Sequence, residues 1–302
     1  DSSVQIILFL SFTRMLSNLD VKISVVIAVF NRSSVIKRAI DSFIQQDYLD
    51  KELIIIDGGS TDGTDEIIES HASHISYWVS ERDRGIYHAF NKGVEHASGD
   101  WLYFLGSDDY FYDSSSLSKV SLHLSEVDQT KHKVVYGKVN LISSKGTILQ
   151  EINKPWAQIK DKFLQGCYIC HQGVFHHRSL FESHGKFDES FKISGVYDLL
   201  LRELKYNDAF FMDDVSVASM QMGGLSSNPE YSLKIMREYS KARKKNNIYS
   251  FAPLLYWGYI KTLIRIIINR FLGENITLLT TDFFRKITGR KLLWKQVKID
   301  SE

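Results

Sequence analysis

The chain has 302 residues, of which 44% are hydrophobic and 24% are charged, the composition of an ordinary folded globular protein. Its three prolines and two cysteines argue against a proline-rich linker and a disulfide scaffold, so a reducing, cytoplasmic setting is expected. The net charge of +1 conceals an uneven distribution, because residues 231–302 contain 15 Lys and Arg against 5 Asp and Glu. A basic segment on an acidic body indicates contact with an anionic surface.

The first half of the chain alternates apolar runs with helical patterns. Continuous apolar and β-branched runs predict buried strands at 23–29, 53–56, 75–80 and 101–105. Apolar residues at helical spacing predict helices at 35–43, 65–70 and 86–97. Strands that alternate with helices favour an α/β fold with a mostly parallel sheet, in which ligands bind outside the carboxyl ends of the strands.

The second half has a different, α+β character and is expected to cover the open side of the first. The predicted elements are helices at 115–127 and 197–204 and extended segments at 134–141, 147–152, 168–176 and 210–220. We therefore predict an N-terminal extension at 1–20 and one domain at 21–230. That domain divides into halves at 21–112 and 113–230, and a basic amphipathic helical tail follows at 231–302.

Carboxylates directly follow two of the predicted strands. Asp108 and Asp109 come after the strand at 101–105, and Asp57 leads from another strand into a glycine-rich turn. Adjacent carboxylates at the end of an apolar strand repel each other unless a cation is bound, and Mg²⁺ or Mn²⁺ prefers such oxygen ligands. The same aspartates can also open a loop and cap a helix, so the pair alone does not decide between a metal site and a turn.

Four segments in order carry a more specific pattern. They are Ile27-Ala28-Val29-Phe30-Asn31, Ile56-Asp57-Gly58-Gly59-Ser60-Thr61-Asp62-Gly63-Thr64, residues 80–93 (SERDRGIYHAFNKG) and residues 98–109 (SGDWLYFLGSDD). Together they resemble the nucleotide-binding part of glycosyltransferase family 2, in a bacterial branch, over residues 22–110. Weaker similarity continues through 223–226. Neither a P-loop nor a GxGxxG sequence occurs at these strands, which argues against ATPases and Rossmann dehydrogenases.

The resemblance implies a GT-A fold, in which a Rossmann-like nucleotide half merges with an acceptor half. It also implies a nucleotide-sugar donor, with a UDP-sugar expected, and Mn²⁺ or Mg²⁺ as cofactor. Carried over by position, the nucleotide-contacting residues would be Ala28, Phe30, Asn31, Asp57, Asp83, Arg84 and Asp108. Asp109 would ligate the metal, with Asp108 beside it or in its water shell.

The catalytic base is where the chain departs from the family pattern. Relatives usually carry an acidic residue two positions before Asp198, and this chain has Val196 there. A valine side chain cannot accept a proton. The alternatives are Asp198 itself, a neighbour such as His171, or an impaired protein. Asp198 can equally be a residue that stabilises the start of a helix.

The apolar stretch at 251–272 is interrupted by Lys261 and Arg265, so it is not expected to span a bilayer. With Asn269 these residues form one polar stripe beside a wide apolar arc. This pattern favours a helix in the membrane interface, or a helix packed on the domain or on a partner in a homodimer. Nucleic-acid binding is not expected, because aromatic and basic residues are not interleaved.

The sequence therefore predicts an inverting, metal-dependent glycosyltransferase. The expected acceptor is lipid-linked or a polysaccharide in cell-surface glycan synthesis, and the expected location is peripheral on the inner face of the cell membrane. Two rival hypotheses stay open: a sugar nucleotidyltransferase of related fold, and a non-catalytic nucleotide-sugar binding subunit, which Val196 favours.

Overall fold

The computed structural model describes residues 21–143, 145–222, 229–287 and 289. Its strands are β1 (Ile23–Val29), β2 (Lys51–Asp57), β3 (Tyr77–Ser80), β4 (Trp101–Gly106), β5 (Tyr110–Phe111), β6 (Val134–Ile142), β7 (Ile148–Ile152), β8 (Val174–His177) and β9 (Phe210–Gln221). Its α-helices are α1 (Ile36–Ile44), α2 (Thr64–Ser70), α3 (Ile86–His96), α4 (Ser116–Glu126), α5 (Trp156–Phe163), α6 (Arg178–His184), α7 (Gly195–Leu204), α8 (Pro229–Lys245) and α9 (Pro253–Ile287). The predicted extension at 1–20, the segment 223–228 and residues 290–302 lie outside the described residues.

The strands form one sheet in the order β3-β2-β1-β4-β8-β6-β9-β5, with β7 paired to β6. β3, β2, β1 and β4 are parallel, so the mostly parallel sheet predicted for the first half is confirmed. Beyond β4 the sheet is mixed: β8 is antiparallel to both neighbours, whereas β6 and β9 are parallel. Strands from both predicted halves, which we expect to meet at residue 112, belong to this one sheet.

Apolar clusters cover both faces of this sheet, which is why β1 and β4 are apolar at almost every position. On one face, Phe90 of α3 packs with Phe104 of β4 in a cluster that also includes residues of α7. On the other face, Ile36 and Ile40 of α1 pack with alternate residues of β1 and β2. Each predicted element of the first half is present, with bounds shifted by a few residues.

The prediction of a strand over 168–176 is wrong in its bounds. Residues 164–170 form neither a helix nor a strand. The chain then makes a 3₁₀ turn at His171–Gly173 and enters β8 only at Val174. Gly173 explains the break, because a Cβ at this position would lie 2.6 Å from the carbonyl oxygen of Gly137. The turn lets the backbone pass close to β6 before it joins the sheet.

The C-terminal helices pack on the domain. Glu238 in the middle of α8, Lys245 at its end and Asn246 just beyond it bond to groups in the segment 188–198. α9 contains a non-helical residue, Gly273 (φ 80°, ψ 173°), which divides it into two helical segments. Among the described residues, each helix is too short or too polar to cross a membrane.

Candidate active site

The carboxyl ends of β3, β2, β1 and β4 lie along one edge of the sheet. In the strand register Val29 is opposite Asp57, Asp57 is opposite Ser80, and Ala28 is opposite Gly106. Neighbouring strands are about 4.8 Å apart, so Asp57 and Gly106, with β1 between them, are about 10 Å apart across this edge. The aspartate predicted to contact the base and the loop predicted to bind the metal are therefore on the same edge.

Asp57 is fully buried and organises the turn that follows β2. Its carboxylate accepts hydrogen bonds from the backbone N–H of Ser60 at 2.9 Å and from the hydroxyls of Ser60 and Ser80 at 2.5 Å each. A carboxylate has about four acceptor positions, so one is left for a further donor. Asn31 joins this turn to β1, because its side-chain oxygen accepts from the N–H of Thr61 at 2.9 Å and its own N–H bonds to Ser60 Oγ.

Phe30, Gly58 and Asp83 meet at the mouth of this edge. The ring of Phe30 is 57% exposed, which is unusual for a phenylalanine at the end of a buried strand. A Cβ at Gly58 would lie 2.8 Å from Asp83 Oδ2 and 3.4 Å from the Phe30 ring. Glycine is therefore needed for the backbone to fit between these side chains. The arrangement leaves one aromatic face and one carboxylate open to a ligand.

Arg84 turns away from this mouth. Its guanidinium donates through Nε (3.0 Å) and NH2 (2.7 Å) to Glu189, so it links the loop after β3 to the second half of the chain. Asp83 accepts from the N–H of Gly85, and Lys192 Nζ lies 3.3 Å from the carbonyl oxygen of Arg84. Asp83 thus lies at the pocket predicted for the nucleotide. Arg84 can reach this pocket only if its hydrogen bonds to Glu189 break.

Asp108 and Asp109 follow β4, as the sequence predicts. Both carboxylates lie against Gly106, where a Cβ would collide with Asp109 and lie 3.3 Å from Asp108 Oδ1. Burial, reinforced by the charge of Asp108, raises the pKa of Asp109 to about 7. A buried carboxylate beside a second carboxylate is stabilised by a bound cation.

The chemistry of this pair fits a hard divalent ion. Among the described residues no group of three or more His, Cys, Asp or Glu side chains is placed to hold a metal ion. Asp108 and Asp109 are the residues that would hold such an ion, because Mg²⁺ and Mn²⁺ prefer oxygen ligands.

Arg38 contacts the loop of residues 106–109, which we call the metal loop after its predicted role. The sequence analysis did not identify this contact. Its NH2 donates to the carbonyl oxygen of Asp108 at 2.9 Å and to Gln221 Oε1 at 3.2 Å. The guanidinium also lies over the Tyr110 ring, 4.5 Å from its centre. Nothing in the helical pattern of α1 distinguishes Arg38 from other surface residues, so only the tertiary structure identifies this contact.

Gln172 is a second contact that the sequence analysis did not assign to the metal loop. The Gln172 side chain and the backbone of Gln221 lower the pKa of Asp109 and so oppose the effect of its burial. Tyr103 donates to the Gln172 carbonyl oxygen, and the Cys170 thiol donates to Gln172 Oε1 at 2.9 Å. The 3₁₀ turn before β8 thus places Gln172 near Asp109.

Asp198 does not have the surroundings of a catalytic base. Its side chain is fully buried and accepts from Arg202 at 3.0 Å, Lys245 at 3.1 Å and Asn246 at 3.1 Å. An acceptor hydroxyl could reach it only if these contacts broke. The structure therefore places Asp198 at the contact between α7 and α8, and its role as the base stays a prediction.

Contacts from α8 and α3 hold the backbone just before Val196, the position at which relatives usually carry an acidic residue. Glu238 accepts hydrogen bonds from all three backbone N–H groups of residues 192–194, at 2.7–2.9 Å. The Tyr87 ring packs on Gly195, where any Cβ would be within 3 Å of its atoms, and Tyr87 donates to the carbonyl oxygen of Ile193. Val196 itself is 8% exposed in the first turn of α7. The backbone at this position is therefore held in place, but its side chain is a valine and carries no acidic group.

His171 is the titratable alternative that lies near the metal loop. It starts the 3₁₀ turn and is close enough to Asp108 for the carboxylate to favour its charged form. Burial outweighs this effect and lowers the pKa of His171 to about 4. The imidazole is therefore neutral at pH 7, with a free electron pair but weak basicity.

Comparison with known proteins identifies the family. The family model described as glycosyl transferase family 2 matches residues 24–181, which is more than half of the chain. Over 212 residues the chain is 32% identical to a protein named PGL/p-HBAD biosynthesis glycosyltransferase of Mycobacterium bovis, a match that covers 68% of this chain and 78% of the relative. The chain belongs to glycosyltransferase family 2.

Other similar proteins agree with this membership. This family 2 glycosyltransferase is 27% identical to an uncharacterized glycosyltransferase of Rickettsia typhi, covering 72% of this chain and 69% of that protein. Its fold is like that of S. aureus TarS 1-349 in complex with UDP-GlcNAc, with a TM-score of 0.57, 18% identity and coverage of 73% of this chain and 66% of that chain. The match takes in 39% of the longer TarS chain.

The fold is also like that of the mannosyltransferase PcManGT of Pyrobaculum calidifontis in complex with GDP-Man and Mn²⁺. That match has a TM-score of 0.59 and 14% identity, and covers 93% of this chain and 84% of the other. The predicted GT-A architecture is therefore confirmed, with a mixed α/β sheet followed by helices. The predicted roles of individual residues stay predictions.

Proposed function

We propose that this family 2 glycosyltransferase transfers a sugar from a UDP-sugar with inversion, assisted by Mn²⁺ or Mg²⁺ held at Asp108 and Asp109. The observation that carries the proposal is the pair of adjacent carboxylates at the exit of β4, one of them buried with a raised pKa. This pair lies on the same sheet edge as the mouth formed by Phe30 and Asp83. The edge is long enough to hold a base at one end and a diphosphate at the other.

The residues at this edge divide the work of binding the donor. The exposed Phe30 ring offers a stacking face for the base, and Asp57 and Asp83 offer acceptors to its N–H and to ribose hydroxyls. A divalent ion, when bound, neutralises the charge that develops on the departing nucleoside diphosphate. Arg38 and Gln172 hold the loop that would carry it. Relatives of this fold support the choice, since TarS 1-349 binds UDP-GlcNAc and PcManGT binds GDP-Man with Mn²⁺.

Proton transfer from the acceptor is assigned to His171. It is the titratable side chain that the 3₁₀ turn places beside the metal loop, and the Asp108 carboxylate would stabilise the imidazolium formed. Direct displacement at the anomeric carbon needs the base on the acceptor side, where the turn enters the second half of the fold. Because the pKa of His171 is about 4, we expect transfer to be slow compared with an enzyme that has a carboxylate at position 196.

The proposed acceptor is a lipid-linked or polysaccharide glycan of the cell surface, and the proposed setting is the inner face of the cell membrane. The support comes from the basic C-terminal region and from the relative in M. bovis, whose name assigns it to PGL/p-HBAD biosynthesis. The alternative contact for the C-terminal helices, a homodimer, is tested below by sedimentation.

The test is release of nucleoside diphosphate from a panel of UDP- and GDP-sugars with Mn²⁺, with and without glycan acceptors. Asp109→Asn should abolish release, because the ion loses its buried ligand, whereas Asp213→Asn, at an exposed aspartate of β9, should leave it unchanged. His171→Asn should reduce release with acceptor more than slow hydrolysis without it. Equal rates for Asp109→Asn and the native chain would refute the metal role.

A non-catalytic nucleotide-sugar binding subunit is the second candidate, favoured by Val196 and by the burial of Asp198. It predicts donor binding by calorimetry with no diphosphate release under any acceptor condition. A nucleotidyltransferase would instead release pyrophosphate from a nucleoside triphosphate and a sugar phosphate, which the same samples can report.

A further inference from the structure

The outer side of α9 is an exposed apolar surface. Seven side chains between Tyr256 and Phe271 make up this α9 apolar face, and each is 44–77% exposed. They are Tyr256, Trp257, Ile260, Leu263, Ile264, Ile267 and Phe271. At about 100° per residue they fall within one arc of roughly 120°, and they extend about 22 Å along the helix. A continuous apolar strip of this kind marks an interaction surface, whereas single exposed apolar residues do not.

The opposite side of the same helix packs on the domain and carries polar groups. Leu255 and Thr262 are buried, and a Cβ at Gly258 would lie 2.9 Å from the sulfur of Met236 in α8. Arg265, the middle of the polar stripe seen in the sequence, is half-buried on this side. Contact with α8 therefore fixes which side of the helix faces outward, and the apolar side is the one left open.

The charges around the α9 apolar face are positive. Lys261 and Arg270 are exposed on its two flanks, and Asp282, the one acidic residue of α9 whose side chain is described, is buried. Tyr249 and Phe251, just before the helix, are 73% and 77% exposed. Aromatic residues beside aliphatic ones, flanked by Lys and Arg, are the composition of surfaces that enter the headgroup region of anionic membranes.

We propose that the α9 apolar face inserts into the interfacial layer of an anionic lipid bilayer, with Lys261 and Arg270 at the level of the headgroups. The proposal rests on the membrane setting proposed above and deepens it by naming the contact surface. It also specifies how the contact forms: apolar side chains are removed from water, and charge attraction adds to this. Binding should therefore survive salt concentrations that screen exposed charges.

The test is flotation of the full chain with vesicles of phosphatidylethanolamine and phosphatidylglycerol, and with phosphatidylcholine alone, in 0.1 M and 0.5 M salt. Leu263→Asp should weaken binding at least about tenfold, because a charge replaces an apolar side chain that enters the bilayer. Leu122→Asp in α4 is the matched control, since Leu122 and Leu263 are 50% and 48% exposed. It should bind like the native chain.

Three results would overturn the proposal. The first is equal binding by Leu263→Asp and Leu122→Asp, and the second is no binding to either vesicle type. The third is a stable dimer of the native chain in sedimentation that Leu263→Asp converts to a monomer, which would assign the face to a second copy. Flotation needs neither donor nor acceptor, so its failure would leave the diphosphate-release assay, and the proposed transfer, untouched.

Discussion

Glu52 provides a sharp test of the physical reasoning, because it ties three segments together at the edge of the sheet opposite the site. Its carboxylate accepts from Ser24 at 2.5 Å, from the N–H and hydroxyl of Ser98 at 2.6 and 2.7 Å, and from Lys22. The Glu52 side chain is 10% exposed. Burial alone would raise its pKa, but these hydrogen bonds together lower the pKa of Glu52 from 4.5 to about 2. Glu52→Gln keeps the shape and removes the charge, so the donors lose their strongest acceptor.

The magnitude follows from the linkage between protonation and folding. The difference between 4.5 and about 2, at 1.36 kcal/mol per pH unit, gives about 3 kcal/mol of stability from the ionised form at pH 7. A group whose pKa is lowered by folding contributes its full stabilisation of the folded state above its unfolded pKa. It loses this contribution as the pH falls towards its folded pKa. The contribution should therefore shrink below pH 4.5, to about 1 kcal/mol at pH 3, and disappear below pH 2.

Urea unfolding of the native chain and of Glu52→Gln at pH 7 and pH 3, followed by tryptophan fluorescence, measures this difference. Glu69→Gln, at an exposed position of α2, is the control and should change stability by less than about 0.5 kcal/mol. A loss for Glu52→Gln below 1 kcal/mol at pH 7, or a loss equal at both pH values, would show the reasoning to be wrong.

Three further predictions concern the site. Gly58→Ala should weaken donor binding about tenfold in calorimetry with little change in stability, because the new methyl group displaces the Asp83 carboxylate. Arg38→Met should weaken Mn²⁺ binding about tenfold, measured by electron paramagnetic resonance with donor present, because the metal loop loses its support; Arg38→Lys should recover part of it. Val196→Asp should speed diphosphate release with acceptor at least tenfold and leave the donor affinity unchanged, because a carboxylate then occupies the held first turn of α7. An unchanged rate for Val196→Asp would show that this position does not face the acceptor.

The first half of the fold was predictable because its signals are local. β1, β4 and the part of β2 from Leu53 to Ile56 are apolar at almost every position since both faces of the sheet are covered, and Asp57 and Asp108 stand where those strands end. β8 was harder, because the apolar run before it continues through a 3₁₀ turn, and only the close approach at Gly173 shows where the strand begins.

The site was predictable where one residue type carries the chemistry, and not where a distant contact decides it. The sequence pointed to Asp109 through its position after β4. The support of its loop by Arg38 joins residues 70 positions apart, and no pattern within α1 indicates it. Asp198 is the opposite case. Its position in the sequence suggested a proton acceptor, but in the structure it forms a buried ion pair with Lys245, which lies 47 positions later in the chain.

The hydrogen bonds that Glu238 accepts from residues 192–194 limit how far the protein can be shortened at its C-terminal side. Removing everything after residue 230 would take away the carboxylate that these three amide groups share, together with the lysine and asparagine that neutralise and bond Asp198. The three amide groups would then lose the acceptor that they share, and Asp198 would keep Arg202 as its remaining counter-charge. A shortened enzyme for crystallography or screening should therefore retain α8 through Asn246.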